Sequence, residues 1–203
     1  MSHILRGSLW ASLFVSSALM AASSPAFAKK VSFDMPVSAG AATCLPNAIA
    51  HVTIKPHGAT DEMHVRATGL PPNTDFDLFV IQVPTAPFGF SWYQGDVETD
   101  DNGVGNGDFV GRFSVETTIV DPNTASAPVV FPTDAASNPA PLDLNAPSIQ
   151  TYHLGLWFNR PKDAAKAGCA DTQTPFNGEH DAGIQVLNTA NFPADSGPLR
   201  QVK

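Results

Sequence analysis

Six side chains in the stretch 151–188, TYHLGLWFNRPKDAAKAGCADTQTPFNGEHDAGIQVLN, could act together: His153, Trp157, Asn159, Asn177, Glu179 and His180. An imidazole can donate, accept or carry a proton near neutral pH. An amide offers paired donors and acceptors, and an indole offers a flat apolar wall with one donor. Two chemistries follow. The first is recognition, with Trp157 walling a small polar pocket in which Asn159, Asn177 and His180 hydrogen-bond a ligand, flanked by His153 and Glu179. The second is an extracellular hydrolase drawing an acid or base from Glu179-His180-Asp181. A hydrolase also needs a nucleophile or a metal beside that loop, and no motif supplies either. Ser91, in GFSWY, misses the G-x-S-x-G elbow at its last position, so no catalytic residue is assigned and binding is the favoured reading. A structural alternative stays open, in which Trp157 closes the core and Asn177 and His180 satisfy loop backbone.

The elements that must position these groups follow from periodicity. In an extended chain, Tyr152, Leu154, Leu156 and Phe158 share one apolar face. His153, Gly155, Trp157 and Asn159 share the other, either a wet surface or a second, partly polar contact layer. Pro161 suits a helix start, so 162–167 reads as a short helix ended by Gly168, and a strand resumes over 183–188. Upstream, Val52 and Ile54 alternate with His51, Thr53 and Lys55, and Met63, Val65 and Ala67 with His64, Arg66 and Thr68, which predicts a hairpin. The turn GLPPNT feeds FDLFVIQV, which is apolar on both faces and therefore a central strand.

Residues 84–95 read as a loop whose aromatics, Phe88, Phe90, Trp92 and Tyr93, plug the core end or stack on a ligand. Residues 109–120 read as one long strand with a wet face. The 121–148 segment is rich in Pro and Ala, leaving only Val129 to Phe131 as a possible edge strand, and the tail 189–203 is expected to pack irregularly and fray.

Metal readings are weak at each place that invites them. His51 and His64 share a hairpin face with no carboxylate ladder in the local sequence, which favours a solvated sheet face over zinc. The run DVETDDNGVGNGD departs from the EF-hand pattern at Val104 and reads as turn chemistry. No cofactor or metal is expected.

The words HLGLWFN, the P-x-D-A-A helix ending in Gly168-Cys169, and TPFNGEHDAGIQVLNT, with GLPPNTDFDLFV and FGFSWYQGD upstream, resemble a group of uncharacterised secreted bacterial β-sandwich proteins. The resemblance covers most of the chain beyond its leader and implies no particular activity. The order Cys169, Phe176, Asn177, His180 also resembles the metal loop of the copper/zinc superoxide dismutases. That implies a β-sandwich, and the metal is not carried over because the chain has no His-x-His pair.

Residues 1–28 read as an export signal: His3 and Arg6, an apolar run from Leu9 to Ala22, then an A-x-A site at Ala26 to Ala28. The run is broken by Ser12, Ser16 and Ser17 and is shorter than the roughly 20 residues a membrane span needs. Cleavage would leave 29–203 as one domain, with ten basic against nineteen acidic residues and a net charge of −9. Such a balance disfavours nucleic acid or anionic lipid as partner, since both need a basic footprint. The expected partner is an extracellular ligand or protein of unknown identity. Two cysteines in an exported chain favour one bridge, Cys44 to Cys169, the alternatives being free thiols or intermolecular links. Together these features predict an all-β fold, an immunoglobulin-like or related two-sheet antiparallel sandwich with one short helix, with a β-barrel as the alternative.

Overall fold

The structure, a computed structural model, describes residues 29–113, 118–119, 149–174 and 181–203. The leader, the Pro/Ala-rich 121–148 segment with Val129 to Phe131, and the site candidates Asn177, Glu179 and His180 lie outside them.

Two four-stranded antiparallel sheets form the sandwich, and most of the predicted strands are present. In the first sheet the order is β1 (Val31–Pro36), β2 (Ile49–His57), β3 (Thr60–Thr68), β6 (Gly105–Gly111). In the second it is β10 (Gln185–Asn188), β9 (His153–Phe158), β4 (Asp75–Ile81), β5 (Ser91–Glu98). A short pair, β7 (Thr118–Ile119) with β8 (Ile149–Gln150), stands apart. Alternation explains the first sheet: Val31, Phe33, Met35, Val52, Ile54, Met63 and Val65 point inward and are buried, while their neighbours face solvent. The second sheet differs. After Asp75 every residue of β4 is buried, and so is every residue of β9, because that sheet is covered on both faces.

The sheets meet at both edges without closing into a barrel. Single bridges, Val37 to Leu187 and Thr99 to Gly105, tack one sheet to the other. The buried Ser38 reinforces the first: its N–H donates to Val186 O at 2.8 Å and its hydroxyl to Gln185 O at 2.6 Å. Each sheet edge is thereby partly covered, which protects backbone groups that would otherwise template a foreign strand.

The disulfide Cys44–Cys169 is formed. It ties the turn after β1 to the end of α1 (Pro161–Lys166). That helix has proline in its first turn and ends in a Schellman arrangement, with Gly168 at φ 75° and Cys169 N–H reaching Ala164 O at 2.9 Å. The left-handed glycine thus sets where Cys169 points.

Four expectations need correction. The 84–95 loop is shorter than predicted, because β5 starts at Ser91; Trp92 turns in against the main core and Tyr93 turns out. The long strand after Phe109 instead begins at Gly105 and leaves the ladder after Gly111, where the buried Asp61 accepts the Phe113 N–H at 2.7 Å. The hairpin histidines do have carboxylate partners, supplied by neighbouring strands: His51 Nδ1 lies 2.8 Å from Asp34 Oδ1 on β1, and His64 Nδ1 meets Asp108 on β6. Finally, the tail packs irregularly as expected but does not fray: Leu199 and Val202 are buried in the core and Phe192 is edge-on to Phe33.

Candidate functional site

On the outer face of the second sheet, cross-strand register decides which side chains meet. Trp157 stands opposite Asp77 on β4, and Gly155 stands opposite Phe79. Phe79 in turn faces Tyr93 on β5, across a register shift after Leu78. Because residue 155 is glycine, the indole can lie back along its own strand: a Cβ there would overlap Trp157 Cζ3 and Cη2. The result is an apolar cluster separate from the main core, made of Phe79, Ile81, Trp157 and Ala182, with Phe88 packed on it. The Phe79 and Phe88 rings meet the indole edge-on at 5.3 and 5.0 Å, the arrangement that aromatic quadrupoles favour.

Two loops bring the remaining groups to this face. Between β4 and β5 the chain reverses tightly, with Gln82 N–H to Phe90 O at 2.8 Å and Val83 N–H to Phe88 O at 3.0 Å. Gly89, at φ 68°, permits the turn that folds Phe88 back over Trp157. From the other side, Thr174 and Ala182 pair through backbone bonds of 2.8 and 3.1 Å. Among the described residues, Phe79, Ile81, Phe88, Trp157 and Ala182 line a pocket of ≈ 60 Å³, together with Ser91 and Thr174. Ser91 is solvent-exposed, so the pocket reaches the surface. Trp157 is 3 % exposed, and its Nε1 is a buried donor with no acceptor among the described residues.

An acidic margin borders the cluster. Tyr93 is 44 % exposed and donates its hydroxyl to Asp96 Oδ1 at 2.6 Å. Partial burial, then the bond to Asp96 and the charges of Asp96 and Asp77, push the phenol above its ordinary value of 10.0, so Tyr93 stays a neutral donor.

The predicted site residues fall in different places. Trp157 is at the centre of the pocket. His153 shares its strand face but serves another purpose: the ring is fully buried, with Nδ1 2.8 Å from Thr189 Oγ1 and Nε2 3.2 Å from both the Pro193 and Ala194 carbonyls. Asn159 is half-buried at the exit of β9, where its N–H donates to Asp75 O at 3.1 Å. Asn177, Glu179 and His180 lie outside the described residues, while the neighbouring Asp181 is exposed and engages Gln173. Sequence reasoning did not assign Phe79, Ile81, Ser91, Thr174 or Ala182 to a site. The available signal was the two-faced apolar pattern of β4, which requires something to cover its outer side.

Among the described residues, no group of three or more His, Cys, Asp or Glu side chains is placed to share a metal ion, and no helix is long and apolar enough to cross a membrane. The turn that invited calcium is closed by protein groups: Asp100 Oδ1 accepts the N–H groups of Asn102 and Val104 at 2.8 and 2.9 Å. Compared with known protein families and with curated proteins, the chain matches none.

Proposed function

We propose that this chain is an exported binding module, delivered by its 1–28 leader, which recognises its ligand on the outer face of β4, β5 and β9. The observation that carries this reading is the ≈ 60 Å³ pocket at Trp157, whose aromatic walls, Phe79, Phe88 and Trp157, stand apart from the main core and whose lining also includes Ser91 and Thr174. Apolar walls with one or two placed polar groups are the usual make-up of a small-molecule site. The disulfide and the acidic balance support an oxidising, extracytoplasmic setting in which nucleic acid is not the partner.

Two measurements test the parts separately. N-terminal sequencing of protein exported from a bacterial host should begin at Lys29, and titration under denaturing, non-reducing conditions should find no free thiol. A different first residue removes the leader assignment. For the surface, neutral fragments screened by NMR against the isotope-labelled mature chain should perturb Trp157, Phe79 and Phe88. Saturable hits that all map elsewhere would remove the binding reading.

A further inference from the structure

We infer that in mildly acidic surroundings the outer face of the first sheet becomes a cationic docking surface for a second copy of this chain, which presents the exposed carboxylates Asp75, Asp96 and Glu98 of its second sheet. Histidine placement comes first. Of the four described histidines, His153 is buried in the other sheet, while His51, His57 and His64 all lie on the outward side of the β2–β3 hairpin, with side chains 59, 59 and 40 % exposed. Each faces a carboxylate. His51 Nδ1 is 2.8 Å from Asp34 Oδ1, His57 Nε2 is 3.7 Å from Glu62 Oε2, and His64 meets Asp108 through Nδ1 and Glu62 at 3.9 Å through Nε2. The fixed cations of this face are Lys55, opposite Glu62, and Arg66, opposite His51. At its margin Lys30 is exposed just before β1, and Arg112 donates to Gly58 O at 2.9 Å with its guanidinium 4.0 Å from the buried Asp61. Three carboxylates thus stand against a similar number of fixed cations, and with neutral imidazoles the face is close to balanced. Imidazoles gain their charge between about pH 8 and 5, where carboxylates ordinarily stay ionised. Three protonated rings on one face therefore turn it cationic.

A second copy supplies the complement. The chain beyond its leader carries a net charge of −9, and none of that excess belongs to the balanced face, so it lies on the other surfaces. One concentration of it is exposed on the second sheet, where Asp75 stands opposite Glu98 and Asp77 opposite Asp96. Like charges directly opposite one another destabilise a sheet. Among the described residues no cation lies within 4.0 Å of Asp75, Asp96 or Glu98, so the repulsion is not offset by an ion pair. A cationic face laid against these acids relieves it, whereas a balanced face at neutral pH does not. Because the two contact surfaces differ, the association is head-to-tail and builds rings or open chains.

The experiment is sedimentation velocity of the exported protein over a range of concentrations at about pH 7.5 and about pH 5.8, on either side of the histidine range. A monomer is expected at the higher pH. At the lower one the average mass should rise about twofold or more with concentration and fall back when salt is added. Two variants carry the assignment: His51→Gln/His57→Gln/His64→Gln removes the titrating groups, and Asp75→Asn/Asp96→Asn/Glu98→Gln removes the carboxylates. Each alone should stay monomeric at both pH values. Mixed at the lower pH they should form one-to-one pairs and nothing larger, because one keeps only the acidic surface and the other only the basic one. The second variant also separates docking from the general association of an acidic protein near zero net charge, which the loss of carboxylates would promote. If either variant fails to fold, the exposed single substitutions His57→Gln and Glu98→Gln replace it, each weakening the association about twofold to fivefold. Undiminished association of the histidine variants, or stronger association of the carboxylate variants, overturns the proposal. A parent that stays monomeric at the lower pH also overturns it, and if that parent binds anionic lipid vesicles there, the same face has a different occupant.

Discussion

At the residue scale, His153 and Gly155 show how one strand face divides its work. The His153 ring is enclosed by the C-terminal segment, and removal from water holds its pKa below the ordinary 6.5, opposed in part by the bonds to Ala194, Pro193 and Thr189. The neutral ring satisfies every partner: Nε2–H donates to the tail carbonyls and Nδ1 accepts from the Thr189 hydroxyl, which itself accepts the Leu154 N–H at 3.2 Å. In the unfolded chain this histidine binds a proton near pH 6.5, and in the folded chain only at lower pH. Its stabilising contribution is therefore complete above 6.5 and is lost as pH falls from 6.5 towards the folded pKa, below which the loss levels off. Urea midpoints measured from neutral to acidic pH should show that decline in the parent and less of it in His153→Asn, and parallel curves would contradict the account. Gly155 seats Trp157, and a Cβ there would also meet Gln185 Nε2 at 2.8 Å. Gly155→Ala forces the indole off the strand, so it should shift tryptophan fluorescence and cost about 1–3 kcal/mol, the range for overpacking. Unchanged fluorescence would mean that the ring does not rest there.

At the element scale, legibility tracked how far each element's partners lie along the chain. The β2–β3 hairpin and β4 were readable because their signals are local, a period of two or an unbroken apolar run. β1 carries the same alternation in VSFDMP but lies beside the leader and turns at Ser38, and it was not read as a strand. Asp34 and Asp108, the carboxylates bonded to His51 and His64, were invisible locally because they come from strands on either side of the hairpin, whereas Glu62, 3.9 Å from His64 Nε2, lies two residues away on the same strand. Trp157 was identified as a wall, yet most of the pocket comes from residues 79 to 91, more than sixty positions upstream, and only the β4–β9 register brings them together. The short helix was legible at both ends, from Pro161 and Gly168, and its role is to deliver Cys169 to Cys44 across a separation of 125 residues. A bridge closing so long a loop is worth about 5 kcal/mol in the chain-entropy description, with about 2–5 kcal/mol the usual loss on removal. The paired variant Cys44→Ala/Cys169→Ala should unfold at lower urea concentration by an amount in that range, and reductant should lower the parent to match it. A difference below about 1 kcal/mol would show that the turn and helix end are held without the bond.

At the scale of the whole molecule, the fold is finished by its tail. The two sheets are tacked at their edges, but the mouth beside Tyr152 and His153 is closed by residues 192 to 202. Leu199 N–H donates to Tyr152 O at 3.1 Å, and Leu199 and Val202 are at most 1 % exposed. Gly197 lies so close to Tyr152 O and the His153 ring that a side chain would overlap both. Tail and histidine therefore form one unit: the buried leucine anchors the segment whose carbonyls hold the imidazole. Leu199→Ala should cost about 2–5 kcal/mol, the range for truncating a fully buried leucine, whereas Arg200→Ala on the exposed side of the same turn should be close to neutral. The coupling gives a sharper test than either value. If loss of the anchor lets Pro193 and Ala194 retreat, His153 regains water, its pKa returns towards the ordinary value, and the acid-side decline in stability shrinks in Leu199→Ala as it does in His153→Asn. The two substitutions should then be less than additive in the double variant, because each removes the same docked segment. Strict additivity, with the acid-side decline undiminished in Leu199→Ala, would show that the histidine is enclosed independently of the tail's anchor.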